Sequence, residues 1–355
     1  MSCSIHEKCP SLQHHVSHFA YYYNRIKLMM NEKPVLSIIM ATHNNGTLAS
    51  DAIMSVVNNM PHNCELLVIN DGSTDESDRL IRELVQQYSH IRYYYQPKSG
   101  VSVARNRGID LSQGDYLAFI DGDDLYSENF FNVIMPILEE QQYDIISYDS
   151  TREFDAFTAA QKSGLQYKVN THYAEIIQKT FKVSHWQVWS RIFRRNIIGN
   201  DRFPENISYF EDVSFTPFQY LKSHKLCKIN QILYYYRKNR LSVTETHQEN
   251  DIMDMSHALD KFIDRVQGHP ETADLTTMAM MNCYIELRKK IRKMRGYYDY
   301  SPEELQLIEK LKAACLYKNI DKKHKKFYLR IKLYQFDLFY SRLKYRLLPH
   351  WMRRN

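Results

Sequence analysis

Five short apolar runs recur between Pro34 and Tyr148: Val35–Ala41, Leu66–Ile69, Ile91–Tyr95, Tyr116–Ile120 and Tyr143–Tyr148. Each is short, and most end in Asn, Asp, Gly or Ser, which predicts buried strands that stop at turns. Longer segments with helical spacing lie between them: Leu48–Asn59, a stretch reaching Ser89 that Ser73 or Thr74 is placed to cap, one that follows Gly100, and Phe130–Glu140, where Pro136 is a flaw. Strands alternating with helices at this spacing require crossover connections. The predicted fold is therefore α/β, with a Rossmann-like, mainly parallel central sheet flanked by helices. Past Leu125 the pattern is less regular, and residues 150–170 read as a loop or poorly packed excursion. From about Asp251 only helices are expected, at Asp251–Val266, Thr272–Arg295, Pro302–Leu316 and Lys322–Leu347.

In an open parallel sheet, ligands bind outside the carboxyl ends of the strands. Three strand ends carry polar clusters: Thr42-His43-Asn44, Asn70-Asp71-Gly72-Ser73 and Asp121-Gly122-Asp123. Asp and Gly after a strand are also ordinary turn residues. Acids this crowded repel one another, however, and an all-oxygen set suits Mg²⁺ or Mn²⁺ shared with phosphate. Their convergence on one crevice favours the binding reading. No GxGxxG follows the first strand and no GxxxxGK[ST] occurs, which removes most of the case for dinucleotide dehydrogenases and P-loop enzymes.

Composition narrows the class further. With 44% hydrophobic and 25% charged residues, the 355-residue chain has the make-up of a soluble globular protein with room for a sizeable core. The six cysteines show no CxxC pairing, so neither a zinc site nor a disulfide framework is expected, in keeping with a cytoplasmic location. Neither a signal-peptide core nor a membrane-spanning run is evident. The net charge of +6 is unevenly spread: residues 318–355 hold twelve Lys or Arg against two Asp. Within Lys322–Leu347, Phe327, Ile331, Tyr334 and Leu338 recur at helical spacing among these cations. Such a helix suits an anionic membrane surface, giving peripheral contact with the inner face of the cell membrane. Packing on the rest of the chain and binding a partner stay open as alternatives, while nucleic acid is disfavoured for want of a recognised module.

The succession VLSIIMATHNN, ELLVINDGSTDES and GVSVARNRGIDLSQGDYLAFIDGDD, covering Pro34–Leu125, resembles the amino-terminal half of family 2 glycosyltransferases. These are inverting enzymes with a GT-A fold, and the motifs together are far more specific than any one of them. The resemblance implies a nucleotide-sugar site built from Thr42, His43, Asn44, Asp71, Lys98, Arg105 and Asp121. His43 stands where the family commonly has a base-stacking Tyr, and Asp71 matches the Asp that accepts a hydrogen bond from the base. Arg105 and Asn106 match an Ala-Arg-Asn segment near the nucleotide. Lys98 departs from a frequent Asn and is either a phosphate ligand or a solvated cation. Asp121 and Asp123 match the DxD motif, with Asp123 implied to contact Mn²⁺ or Mg²⁺ directly and Asp121 through ribose or water.

The resemblance continues in weaker form. A Trp-containing segment with Arg194-Arg195 is followed by Glu211-Asp212 opening a helix, which implies Asp212 as general base with Glu211 orienting it. The plain alternative is a pair of acids in a helical first turn. Trp186 and Trp189, three apart, are candidates to face an acceptor sugar or to form a core stripe. Tyr234–Thr244 resembles the family's closing tyrosine strand and basic loop, with Arg240 and Ser242 near the diphosphate or in solvent. The expected organisation is an extension (1–33), a GT-A catalytic domain (34–249, divided into nucleotide-sugar-binding 34–125 and acceptor-side 126–249) and a helical basic region (250–355). The implied reaction transfers a sugar from a nucleotide-diphosphate sugar, UDP-sugar being favoured, to a glycan or lipid-linked acceptor in surface polysaccharide (capsule) biosynthesis. A nucleotidyltransferase on a similar sheet and a non-catalytic membrane-associated nucleotide-sugar-binding protein are the alternatives.

Overall fold

The computed structural model describes residues 33–163, 167–239, 248–267, 270–295, 300–315 and 322–347. The expected extension up to Glu32, together with Arg240 and Ser242, lies outside the described residues. Four parallel strands form one half of the sheet in the order β3-β2-β1-β4: β1 is Leu36–Thr42, β2 Cys64–Asp71, β3 Ile91–Gln96 and β4 Tyr116–Asp121. Helices α1 (Thr47–Val57), α2 (Ser77–Gln87) and α3 (Val101–Leu111) are the crossovers. The short β5 (Leu125–Tyr126) and helix α4 (Phe130–Glu139) follow. The other half of the sheet comes from β6 (Ile145–Thr151), β8 (Arg191–Arg194) and β9 (Leu226–Tyr235). The order continues β4-β8-β6-β9-β5, with β8 antiparallel to both its neighbours and β6 parallel to β9.

Both faces of the sheet are covered, so its central strands read as unbroken apolar runs rather than as alternating ones. In β4, Tyr116, Ala118 and Ile120 join the core beneath α1 and α4, whereas Leu117 and Phe119 join the core on the other face. That second core extends without a break into the carboxyl-terminal helices: α9 (Glu249–Gln267), α10 (Ala273–Arg295) and α11 (Pro302–Ala314) supply Leu259, Phe262, Tyr284 and Leu311 to it. Phe218, on α8 (Thr216–Lys222), meets Phe262 edge to face at 5.3 Å.

Four expectations are corrected. Residues 150–170 are not a loop but hold α5 (Phe154–Lys162) and the two-residue β7 (Val169–Asn170), which pairs with β9. Phe157 is buried and stacks on Tyr235, so tertiary packing stabilises a helix whose sequence alone is undistinguished. Helix α6 (Tyr173–Val183) and the short α7 (Arg195–Ile198) complete this part. Neither Ser73 nor Thr74 caps α2, which begins only at Ser77; Ser73 Oγ accepts from Asn44 N, and Thr74 N donates to Asn44 Oδ1. Lys322–Leu347 is two helices, α12 (Lys322–Lys332) and α13 (Tyr334–Leu347), parted at Leu333. Glu211-Asp212 opens a single 3-10 turn, Glu211–Ser214, ahead of α8.

One glycine sets how closely α3 approaches the sheet. A Cβ on Gly108 would lie 2.3 Å from Ile39 Cγ2, a fully buried atom of β1. Gly108→Ala should therefore lower the stability against urea by about 1–3 kcal/mol through overpacking. An unchanged midpoint would show that α3 has slack against β1.

Candidate functional site

The register of the sheet fixes the site. Thr42 pairs with Asn70, Ala41 with Asp121, and Asp71 with Gln96, so the three polar strand ends stand side by side. They open into a cavity of about 610 Å³, a size suited to a nucleotide-sized ligand. Thr42, His43, Asn44 and Asp71 line one side of it. The backbone here is tightly held: Asn45 Oδ1 accepts from Thr42 Oγ1 at 2.8 Å and from His43 N at 3.2 Å, while Asn44 adopts a left-handed φ of 53°. A Cβ on Gly122 would meet Thr42 Oγ1 at 2.6 Å, so the β4 turn can close on β1 only with glycine there.

Asp71 is buried, and it organises the loop after β3. Its Oδ1 accepts from Gln96 Nε2 and Ser99 N, both at 2.8 Å, and its Oδ2 from Gly100 N at 2.7 Å. A carboxylate has about four acceptor positions, which leaves room for one further donor. Lys98 is exposed and does not line the cavity. Asn106 is buried away from the cavity, exchanging two hydrogen bonds with the backbone of Phe203.

The three acids after β4 occupy three different environments. Asp124 is fully buried, accepting from Tyr234 Oη at 2.7 Å and from Arg237 N at 2.8 Å. Burial, with Asp121 and Asp123 nearby, pushes its carboxyl well above the usual range. Asp123 faces the cavity and accepts from Asn239 Nδ2 at 3.0 Å. Its carboxyl is also raised, first by burial and then by the neighbouring Asp121. Asp121 is held by Arg105, whose Nη2 lies 2.8 Å from Asp121 Oδ1.

Arg105 is only 4% exposed, and its Nη1 also reaches Glu211 Oε1 at 2.5 Å and Asp212 Oδ1 at 3.5 Å. Burial opposes its charge, but the three carboxylates more than offset this and hold it protonated more firmly than a free arginine. Asp212, which lines the cavity, has its carboxyl raised well above the usual range by burial and by Glu211, with Arg105 opposing. A part-buried carboxyl with a perturbed environment beside a cavity is a candidate functional group. The resemblance placed Arg105 near the nucleotide; Arg105 lines the cavity, and its guanidinium also forms the ionic centre joining β4 to the 3-10 turn.

The far wall is aromatic. Trp186 and Trp189 are both buried and both line the cavity. Neither lies on an α-helix: Trp189 sits in the 3-10 turn Val188–Ser190 and stacks on Tyr234 and Tyr236 at 4.5 and 5.4 Å. Trp186 packs edge-on to Phe181, and its Nε1 is buried without a hydrogen-bond partner among the described residues.

The residues fit a divalent cation of limited coordination. No group of three or more candidate ligands occurs among the described residues. Mg²⁺ and Mn²⁺ do not need one where one or two carboxylates share the ion with phosphate and water. Asp123 faces the cavity and is the carboxylate open to such an ion.

With this geometry in place, comparison with known proteins identifies the domain. The profile of the family described as "Glycosyl transferase family 2" matches residues 37–200. Residues 37–200 form a family 2 glycosyltransferase domain. The chain is 27% identical over 218 residues to the uncharacterized glycosyltransferase EpsJ of Bacillus subtilis (strain 168), a match covering 60% of this chain and 63% of that protein. It is also 27% identical over 270 residues to the minor teichoic acid biosynthesis protein GgaB of the same organism, covering 71% of this chain and 29% of that one. The chain thus spans less than two thirds of the length of either relative. Among solved structures, residues 1–349 of S. aureus TarS in complex with UDP-GlcNAc superpose with a TM-score of 0.64 at 14% identity, over 86% of this chain and 89% of that one. The family 2 domain therefore has the GT-A fold, extended here by a helical carboxyl-terminal region.

Sequence reasoning missed two contributors to the site. Asp124 sits in the same acidic run but gives no local sign that it is buried beneath Tyr234. Asn239 holds Asp123 from 116 residues away, a contact that no spacing rule could supply. The importance of Arg105 to stability is testable. Arg105→Gln leaves the buried Glu211 and the part-buried Asp121 and Asp212 without their counter-ion and should cost about 3–5 kcal/mol in urea unfolding, with Arg105→Lys restoring only part. A loss under 1 kcal/mol would mean that water replaces the guanidinium.

Proposed function

We propose that the protein is an inverting glycosyltransferase that moves a sugar from a nucleotide-diphosphate sugar, a UDP-sugar in the favoured case, to a glycan or lipid-linked saccharide in surface polysaccharide assembly. The single observation that carries the reading is the shared cavity, in which the DxD acids and Asp212 face one space between the nucleotide side and the aromatic wall. The relative named for teichoic acid biosynthesis and the UDP-GlcNAc complex of a protein with the same fold support the substrate class.

In this reading His43 stacks on the base and Asp71 accepts a hydrogen bond from it, with Thr42 and Asn44 completing that wall. Asp123, with Asp121, would hold Mg²⁺ or Mn²⁺, which neutralises the charge growing on the leaving diphosphate. Asp212 takes the proton of the acceptor hydroxyl as its oxygen forms the bond to the anomeric carbon and the bond to the diphosphate breaks on the opposite face. Attack from that side inverts the configuration and needs no enzyme nucleophile. Arg105 and Glu211 orient Asp212. Trp186 and Trp189 offer apolar faces to the acceptor, and the unpartnered Trp186 Nε1 is a donor for one of its hydroxyls. Arg240, in the segment after Asn239, is assigned to the diphosphate on family resemblance, while Lys98 is left to solvent. The basic carboxyl-terminal helices would hold the protein on the inner face of the membrane, where a lipid-linked acceptor is found. No helix among the described residues is long and apolar enough to cross a membrane.

Calorimetry with UDP, GDP, CMP and TDP, with and without Mn²⁺, tests the donor site. One diphosphate should bind in a metal-dependent way, and Asp123→Ala should abolish that dependence. Asp212→Asn should bind the nucleotide normally yet transfer at a rate lower by about 10² or more; normal transfer would remove Asp212 from the role of base.

The pH dependence follows from the environment of Asp212. The base works ionised, and its pKa is raised, so turnover is present above that raised pKa and is lost as pH falls through it. The acid limb should therefore lie above the ordinary aspartate range, and a limb near pH 4 would contradict the assignment.

A further inference from the structure

Helices α12 and α13 are apolar on two opposite sides. One side is used by the fold: Ile331 is fully buried, and Phe327, Tyr334 and Leu338 pack against the same core that α9, α10 and α11 share. His324 beside it is buried against Asn282 Oδ1 at 3.0 Å. The other side carries Leu329, Leu333, Phe336, Tyr340 and Leu343, at spacings of four, three, four and three, all between 44% and 68% exposed. At 3.6 residues per turn this stripe lies about half a turn from the buried one. Phe339, 65% exposed, widens it. Of the eleven large apolar side chains exposed among the described residues, six lie in this short stretch, so the stripe is a patch rather than scatter.

We propose that this outward stripe is the surface that enters an anionic bilayer, with α12 and α13 lying flat in the headgroup region and the buried stripe fastening them to the catalytic body. The inference rests on the reading that the carboxyl-terminal helices meet a membrane, and it names the face and the lipid charge. Charge decides the occupant. Residues 322–347 hold nine Lys or Arg and one Asp, a formal charge of +8. Lys322, Lys325, Lys326 and Arg342 are exposed around the stripe. A second copy of this chain docked on the stripe would set +8 against +8, whereas an anionic lipid surface meets the cations with opposite charge while its acyl boundary takes up the Leu and Phe side chains. Two Phe and a Tyr among the exposed residues suit the interfacial zone, where aromatic side chains are favoured.

The test is sedimentation of the full chain with vesicles of phosphatidylglycerol and phosphatidylcholine, set against phosphatidylcholine alone. Binding should require the anionic lipid and weaken in high salt. Leu333→Ser/Phe336→Ser should reduce vesicle partitioning about tenfold or more while leaving UDP binding unchanged, which also shows that the variant folds. Lys325→Gln/Lys326→Gln should reduce partitioning on anionic vesicles only. Failure to bind vesicles with UDP binding intact, or a dimer in sedimentation equilibrium that Leu333→Ser/Phe336→Ser abolishes, would overturn the proposal and leave the transferase reading standing. Vesicle binding without binding of any nucleotide would support this surface and sink that reading instead.

Discussion

Arg105 is a permanently charged group in a place almost closed to water, and such a group is tolerable only where opposite charge surrounds it. Its three partners come from parts of the chain far apart in sequence: Asp121 from the end of β4, and Glu211 and Asp212 from a 3-10 turn some ninety residues later. The ion cluster therefore joins the parallel half of the sheet to the segment that closes the cavity. Neighbouring residues of α3 reinforce the joint, since Ser102 Oγ donates to Ile207 O and Asn106 grips Phe203. Arg105 also moderates the charge of the acids it holds. Without it, the crowding that raises Asp212 would be stronger still.

The same logic separates the acids that follow β4. Asp121, Asp123 and Asp124 are chemically identical and nearly adjacent, but their surroundings give them different work. Asp124 is enclosed by Tyr234 and the Arg237 backbone and fastens β9 to the turn. Asp121 answers to Arg105. Asp123 faces the cavity and accepts from the Asn239 amide.

The carboxyl-terminal helices are continuous with this arrangement rather than appended to it. One apolar core runs from Phe119 and Phe193 of the sheet through Phe218 and Phe262 to Leu311 and Ile331. The buried side of α12 and α13 is thus continuous with the core that also holds Trp186 of the cavity wall.

Much of this was legible in the chain itself. The strands β1 to β4 and their crossover helices follow from period and turn chemistry, which are local properties. The convergence of Thr42, Asp71 and Asp121 then follows from the rule that parallel strands deliver their ends to one edge. The roles of Arg105 and Asp124 did not follow, because burial and ion pairing depend on which distant segments meet, and residue spacing carries no record of that. Helix α5 was missed for a related reason: its stability comes from Phe157 against Tyr235, a contact across the sheet edge. The two apolar sides of α12 and α13 make the same point. At helical spacing the sequence offered Phe327, Ile331, Tyr334 and Leu338 as the side for a membrane surface, but packing turns these to the core and leaves Phe336 outside, because a helix can present just one side to the body it rests on.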